Sequence, residues 1–289
     1  MKRIFKGLLL CLLVLGVSTS CIKRDDMENI NIYTTVYPIT YIINSLYGNY
    51  STINSIYPND IDVNNYEFTE KQLNDFASSS LFIYNGLSNE KEIARKLINK
   101  NKNLKIIDVS YGLNIEYSEE NPAELWLSPN NYLMLATTVK DNLIDFVTNT
   151  YIKEEIDKNY KKIQEEVSLI DAELRSIGSS SKSKNKNTII VSSDAFKYLE
   201  NYGFNVISLE DSKNFTNELK NKFKDKVYEY VFIENNKTTD KVDTLVKDYN
   251  AKTVSINTMT VLSDEEVKNN ENYINITRTF IKNLSDVVL

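Results

Sequence analysis

Strand-like apolar runs alternate with helix-length amphipathic stretches through both halves of this chain, an order that predicts an α/β protein with parallel sheets. The alternation runs once from Asn31 to Val109 and again from Thr188 to Ile256. Between the halves lies an apolar stripe at Ile152, Ile156, Tyr160, Ile163, Val167, Ile170 and Leu174. Its steps of three and four residues put it on one helix face for ~23 residues, roughly 34 Å at 1.5 Å per residue. A coiled coil would give a similar stripe but would continue for more heptads. The expected architecture is two α/β lobes with one long helix packed across both.

At the start of the chain, Lys2, Arg3 and Lys6 precede an apolar run from Gly7 to Val17. That run is too short for a bilayer core of about 30 Å, which takes about 20 helical residues, and it reads as a secretory signal. Ser18, Thr19 and Ser20 lead into Cys21, the pattern of a bacterial lipobox with Ser18 where an apolar residue is usual. Residues 1–20 are therefore expected to be a lipoprotein signal peptide and 21–29 a polar tether. Cys21 would carry the acyl chains and anchor the protein in the lipid bilayer, at the extracytoplasmic face of the cell membrane. Acyl chains contribute about 0.8 kcal/mol per buried CH₂, so two or three of them hold firmly. Cys11 is lost with the signal, which leaves no disulfide and no thiolate metal cluster.

Asn31–Thr35 reads as the first strand. Pro38 follows at the start of a helix, where its missing N–H costs nothing. Ile39, Ile42, Ile43 and Leu46 continue at helical spacing, and Gly48 supplies the stop. Strands are next expected at 52–57, 80–84 and 104–109, with helices near 69–77 and 90–100. Helix returns from Asn130 to Val147, before the long stripe. The run GSSSKSKNK from Gly178 holds no apolar residue and reads as a flexible loop. In the second half, strands are expected at 188–191, 205–209, 228–233 and 253–256. Helices are expected at 194–202, near 212–224, near 239–249 and near 270–286. The organisation is then a first lobe over 30–129, a helical region over 130–177, a loop over 178–187 and a second lobe over 188–289.

Composition excludes several functions. The chain carries 34 Lys and Arg against 40 Asp and Glu, a formal net charge of −6, and removing the basic signal makes it more acidic still. Nucleic acid is not an expected partner, because binding it requires Lys and Arg to neutralise phosphates. The chain has no histidine at all, so it has no Ser-His or Cys-His nucleophile pair. There is no Gly-rich phosphate loop, and Glu119-Glu120 and Glu154-Glu155 read as solvated charge. The expectation is a protein that is not an enzyme. Ser192-Ser193-Asp194 follows a strand and opens a helix, which suits either Asp194 as an N-cap or a ligand site at a strand's carboxyl end.

Seven segments in order carry a family resemblance: TTVYPITYIINSLYG (34–48), SIYPNDIDVNNYEFT (55–69), LFIYNGL (81–87), ELWLSP (124–129), VSSDAFKYLENYGF (191–204), VISLED (206–211) and VFIEN (231–235). Together they resemble the zinc- and manganese-binding solute receptors of ABC transporters. That resemblance implies two Rossmann-like lobes with parallel sheets, joined by one long rigid helix, with a ligand cleft between them. It further implies an ABC transporter permease as partner and Zn²⁺ or Mn²⁺ as the solute, held mainly by histidines. Carried over residue by residue, the first ligand position is Asn64, within DVNNYEFT, where Asp62, Tyr66, Glu67 and Thr69 match the family pattern. The second is Glu124, or Ala123 if the extra residue before Trp126 is taken up there. The third is Ser193 and the fourth is Asn257.

All four usual ligands are thus changed. Imidazole and carboxylate hold Zn²⁺ at about 2.0–2.2 Å, whereas amide and hydroxyl oxygens are weak neutral donors. A set of Asn, Glu, Ser and Asn has one negative charge and no nitrogen ligand, which opposes tight zinc binding. A harder cation prefers oxygen but normally takes more than one carboxylate; Asp62, Glu67, Asp194 and Glu234 lie nearby in sequence. The same cleft would suit a small polar organic ligand bound through Asn64, Ser193 and Asn257. Two readings remain open from the sequence. One is a receptor lipoprotein that delivers a solute to a permease. The other is a surface-anchored interaction or adhesion lipoprotein that reuses the fold without transport.

Overall fold

The computed structural model describes residues 25–87, 89–112 and 124–289. The signal peptide, Cys21 and Ala123 lie outside the described residues. The first lobe holds β1 (Ile30–Thr34), α1 (Tyr37–Tyr47), β2 (Ser51–Ser55), α2 (Glu70–Ala77), β3 (Leu81–Tyr84), α3 (Glu90–Lys100) and β4 (Lys105–Asp108). Two helices follow, α4 (Pro129–Phe146) and α5 (Thr150–Ser183). The second lobe holds β5 (Thr188–Val191), a 3₁₀ segment (Asp194–Tyr202), β6 (Asn205–Ser208), α6 (Asn217–Lys224), β7 (Tyr230–Glu234), α7 (Asp240–Tyr249), β8 (Lys252–Ile256), α8 (Asp264–Lys268) and α9 (Tyr273–Val288). Among the described residues no helix is long and apolar enough to cross a membrane.

Both sheets are parallel, with the equivalent orders β2-β1-β3-β4 and β6-β5-β7-β8. Helices on both faces explain why β3 is buried at every position, as expected for a parallel strand covered on two sides. Local chemistry sets the helix starts. Thr69 and Gln72 form a reciprocal capping box at α2, and Ser263 with Glu266 does the same at α8. Gly203, at φ 88°, ends the 3₁₀ segment in the left-handed region that glycine tolerates.

The 34 residues of α5 span about 51 Å at 1.5 Å per residue, enough to back both lobes. Its stripe at Ile152, Ile156, Ile163, Val167, Ile170, Leu174 and Ile177 is buried in one apolar core containing β1, α1 and α4 of the first lobe and β5 and α9 of the second. Tyr160, expected in that stripe, is half-buried and shares a 2.7 Å hydrogen bond with the Thr137 hydroxyl on α4.

Two segments differ from the sequence expectation. Residues 178–183, expected as loop, continue α5. Small size lets this stretch pack against the second lobe: a Cβ at Gly178 would lie 1.8 Å from the Tyr202 carbonyl oxygen, so only glycine allows that approach. Ser181 is fully buried and turns its hydroxyl back to the Gly178 carbonyl at 2.9 Å. The second difference is at 25–29, expected as tether, where Asp25 and Met27 are buried. The Tyr47 hydroxyl donates to the Met27 carbonyl at 2.8 Å, fixing this segment under α1.

Candidate functional site

The carboxyl ends of the strands of both lobes face a shared cavity of about 490 Å³. The first lobe contributes Asp60, Asp62 and Asn64 from the loop after β2, Asn85 and Glu90 from around β3, and Glu124 and Trp126 ahead of α4. The second lobe contributes Glu234 to Lys237 after β7, and Ser255, Asn257, Thr258 and Glu266 from β8 to α8. Three of the four sequence-derived positions, Asn64, Glu124 and Asn257, therefore line one cavity from opposite lobes. Ser193 does not line it.

Each position is held by local bonds. The Asn64 N–H donates to Asp62 Oδ1 at 3.1 Å, and the Asn65 amide donates to Asp62 Oδ2 at 2.9 Å, so Asp62 orders the turn that presents Asn64. Asn64 itself is exposed. Asn257 is committed at both ends of its carboxamide. Its oxygen accepts from the Met259 N–H at 2.7 Å, and its Nδ2 donates to Glu266 Oε1. Met259 has φ 60°, unusual for a bulky side chain, so the Asn257 acceptor holds an unfavourable turn in place. The other oxygen of Glu266 accepts from the Ser263 N–H at 2.7 Å in the capping box of α8.

Ser193 serves as an N-cap, its hydroxyl accepting from the Ala195 N–H at 3.1 Å. The sequence put the cap at Asp194 and a ligand at Ser193; instead Asp194 is the first residue of the 3₁₀ segment and Ser193, one residue earlier, caps it. Asp194 pairs with Lys197 at 2.7 Å and lies outside the cavity lining, as does Glu67, whereas Asp62 and Glu234 are part of it.

Electrostatics single out Glu124. Burial pushes its carboxyl above the ordinary range, and the nearby charges of Glu234 and Glu210 push it further. Six carboxylates (Asp60, Asp62, Glu90, Glu124, Glu234 and Glu266) line the cavity against the single ammonium of Lys237. Yet among the described residues no three Asp, Glu, Cys or His side chains are gathered closely enough to hold a metal ion. The arrangement offers hydrogen-bond acceptors and negative potential spread over a wall rather than converging on a point.

Sequence reading missed the contacts that join the lobes here. The Trp126 indole donates to the Thr258 carbonyl at 2.7 Å, and Asn59 and Asp60 bond to Asp264 at 2.9 and 2.8 Å. It also missed Asn235 and Asn236, which line the cavity from a turn with φ of 46° and 60°. An Asn-Asn pair directly after a strand was the available signal, since Asn tolerates left-handed backbone.

The family described as "ZnuA: Zinc-uptake complex component A periplasmic" matches residues 32–287. Among curated relatives, the zinc-binding lipoprotein AdcA of Streptococcus pneumoniae is 25% identical over 303 aligned residues, covering 95% of this chain. The chain spans 58% of the length of that relative. Among solved structures, the Zn(II)-bound ZnuA-like domain of Streptococcus pneumoniae AdcA superposes with a TM-score of 0.75 at 22% identity, covering 90% of this chain and 99% of that one. The metal-dependent lipoprotein YcdH of Bacillus subtilis gives 0.77 at 21% identity, covering 90% and 100%. These likenesses establish the two-lobed α/β fold with its long connecting helix.

Proposed function

Because the chain belongs to the ZnuA family of periplasmic zinc-uptake components, whose members are solute-binding receptors and not enzymes, we propose that it is an extracytoplasmic solute-binding lipoprotein serving an ABC transporter permease. The observation that carries this reading is the cavity shared by the two lobes, with Asn64, Glu124 and Asn257 on its wall. The lipobox ending at Cys21 supports the anchor. A pair of lobes around a polar cavity is suited to hold a solute and present it to a permease.

The solute is read from the donors present. The relatives' names specify zinc, but at the family's ligand positions this chain has two amides, one carboxylate and one capping hydroxyl. Asn257 already spends both ends of its amide on Met259 and Glu266. With Ser193 outside the cavity, that set opposes Zn²⁺ or Mn²⁺ held at the four positions, while the polar lining that includes Asn64, Glu124 and Asn236 suits a small polar solute held by hydrogen bonds. Calorimetry on the chain lacking its signal tests it. Zn²⁺ and Mn²⁺ are expected to give no 1:1 binding at micromolar concentration. Micromolar or tighter 1:1 binding that disappears in Glu124→Ala would restore the metal as solute. A thermal-shift screen of small polar compounds completes the test: the receptor reading expects at least one to raise the melting temperature. A screen without any such compound would instead favour the surface-interaction reading.

A further inference from the structure

Asp25 is 5% exposed, and its carboxylate gathers four donors. Oδ1 accepts from the Met27 N–H at 2.9 Å. Oδ2 accepts from the Thr148 N–H at 2.6 Å, the Thr148 hydroxyl at 2.9 Å and the Asn149 N–H at 2.6 Å. Those partners form the corner between α4 and α5, where Asn149 also caps α5 by accepting from the Tyr151 N–H at 3.0 Å. The chain is therefore pinned to this corner from Asp25 onward. Only Ile22, Lys23 and Arg24 separate Asp25 from Cys21. A fully extended chain reaches at most about 3.6 Å per residue, so the link from Cys21 to Asp25 spans no more than about 14 Å.

We infer that the α4–α5 corner, to which the chain leading into β1 is pinned, rests against the lipid surface, held there by the acylated Cys21 on this short link. The inference rests on the lipid anchor proposed above. Tyr151, on the first turn of α5, is 63% exposed. Half-buried Tyr50 lies close enough for the two phenols to interact electrostatically. Amphipathic aromatic rings of this kind settle at the headgroup level of bilayers. Charge along the sequence here is mixed: Lys23, Arg24 and Lys153 stand beside Asp26, Glu28, Glu154 and Glu155. The acyl chains rather than headgroup electrostatics thus supply the attraction, and the occupant is the bilayer surface itself. Asp25 lies at the amino end of β1, whereas the cavity lies past its carboxyl end. Five residues of strand, about 16 Å at about 3.3 Å each, keep the cavity mouth clear of the lipid.

Tryptophan fluorescence reads this directly, because Trp126 is the only tryptophan and is buried. Full-length acylated protein carrying Tyr151→Trp, or Val267→Trp on exposed α8 of the second lobe, is reconstituted into phosphatidylcholine vesicles with nitroxide-labelled headgroups. The added Trp at 151 is expected to be quenched and that at 267 to be spared. A Gly-Ser spacer of about ten residues inserted between Arg24 and Asp25 is expected to relieve the quenching at 151. Equal, weak quenching at both sites in protein whose mass shows acylation overturns this inference alone. A mass without acyl chains on Cys21 overturns the anchor, and the inference with it.

Discussion

The indole N–H of Trp126 donates to the main-chain carbonyl of Thr258 at 2.7 Å, with both residues buried, so a side chain ahead of α4 closes the turn after the last strand of the second lobe. The carbonyl of Trp126 in turn accepts from the Tyr273 hydroxyl at 2.6 Å. Tyr273 stacks on Tyr132 of α4 with ring centroids 3.7 Å apart and planes 8° from parallel. One tryptophan thus joins three segments behind the cavity, and Thr258 on its wall is positioned by the opposite lobe.

Replacing Trp126 with Phe keeps most of the apolar bulk and removes the donor. The buried Thr258 carbonyl then loses its indole partner, a change that costs about 1–3 kcal/mol. In a chain of this size each kcal/mol moves the melting temperature by about 2–4 °C. Calorimetry is expected to show Trp126→Phe melting several degrees below the parent. An unchanged melting temperature would show that the bond is not a lobe fastener.

The sequence carried the strand and helix order because alternation and the α5 stripe are local periodicities. It did not carry the fate of residues 178–183. A run of small polar residues looks like loop, whereas in the fold it extends α5, with Gly178 packed close to Tyr202 and Ser181 buried, contacts made only after folding. Asp25 was illegible for a similar reason, since its partners lie 123 and 124 residues away. At the candidate site, three positions matched by motif, Asn64, Glu124 and Asn257, line one cavity. Sequence reading placed the cap at Asp194 and a ligand at Ser193, because Ser and Asp cap equally well and a one-residue shift of the segment's start leaves no trace in the sequence.

Acid should loosen the Asp25 clamp. Burial alone would raise this carboxyl, but hydrogen bonds from Met27, Asn149 and Thr148 outweigh it and hold the pKa below the ordinary value. A carboxylate depressed in the folded state adds stability in full above its unfolded pKa of about 3.9, and loses it as pH falls through the folded value. Asp25→Asn is expected to be less stable than the parent in urea at pH 7, with the gap shrinking as pH drops below about 4. Parallel pH profiles for the two proteins would contradict the clamp.

Gly178→Ala sets helix propensity against packing. In an open helix the exchange stabilises by about 1 kcal/mol. Here the new methyl would meet the Tyr202 main-chain oxygen at 1.8 Å, and main chain cannot swing aside as a flexible side chain can. Overpacking of this sort costs about 1–3 kcal/mol, so the net effect is expected to be destabilising in urea titration. A more stable variant would show that the end of α5 stands off from the second lobe in solution.

Glu124 lines the cavity at some cost to folding. Its carboxyl is raised by burial first and by Glu234 and Glu210 second. Here the sign is opposite to that of Asp25: a carboxyl with a raised folded pKa favours the fold below its unfolded value of about 4.3, and that advantage is lost as pH climbs through the folded value. At pH 7 the ionised group opposes folding, so Glu124→Gln, which keeps the shape and removes the charge, is expected to melt at or above the parent temperature. The difference should shrink as pH falls through the folded value toward the unfolded value of about 4.3. The same substitution should weaken any solute that the Glu124 carboxylate engages. A variant that melts well below the parent at pH 7 would assign the charge a structural partner and remove Glu124 from the binding wall.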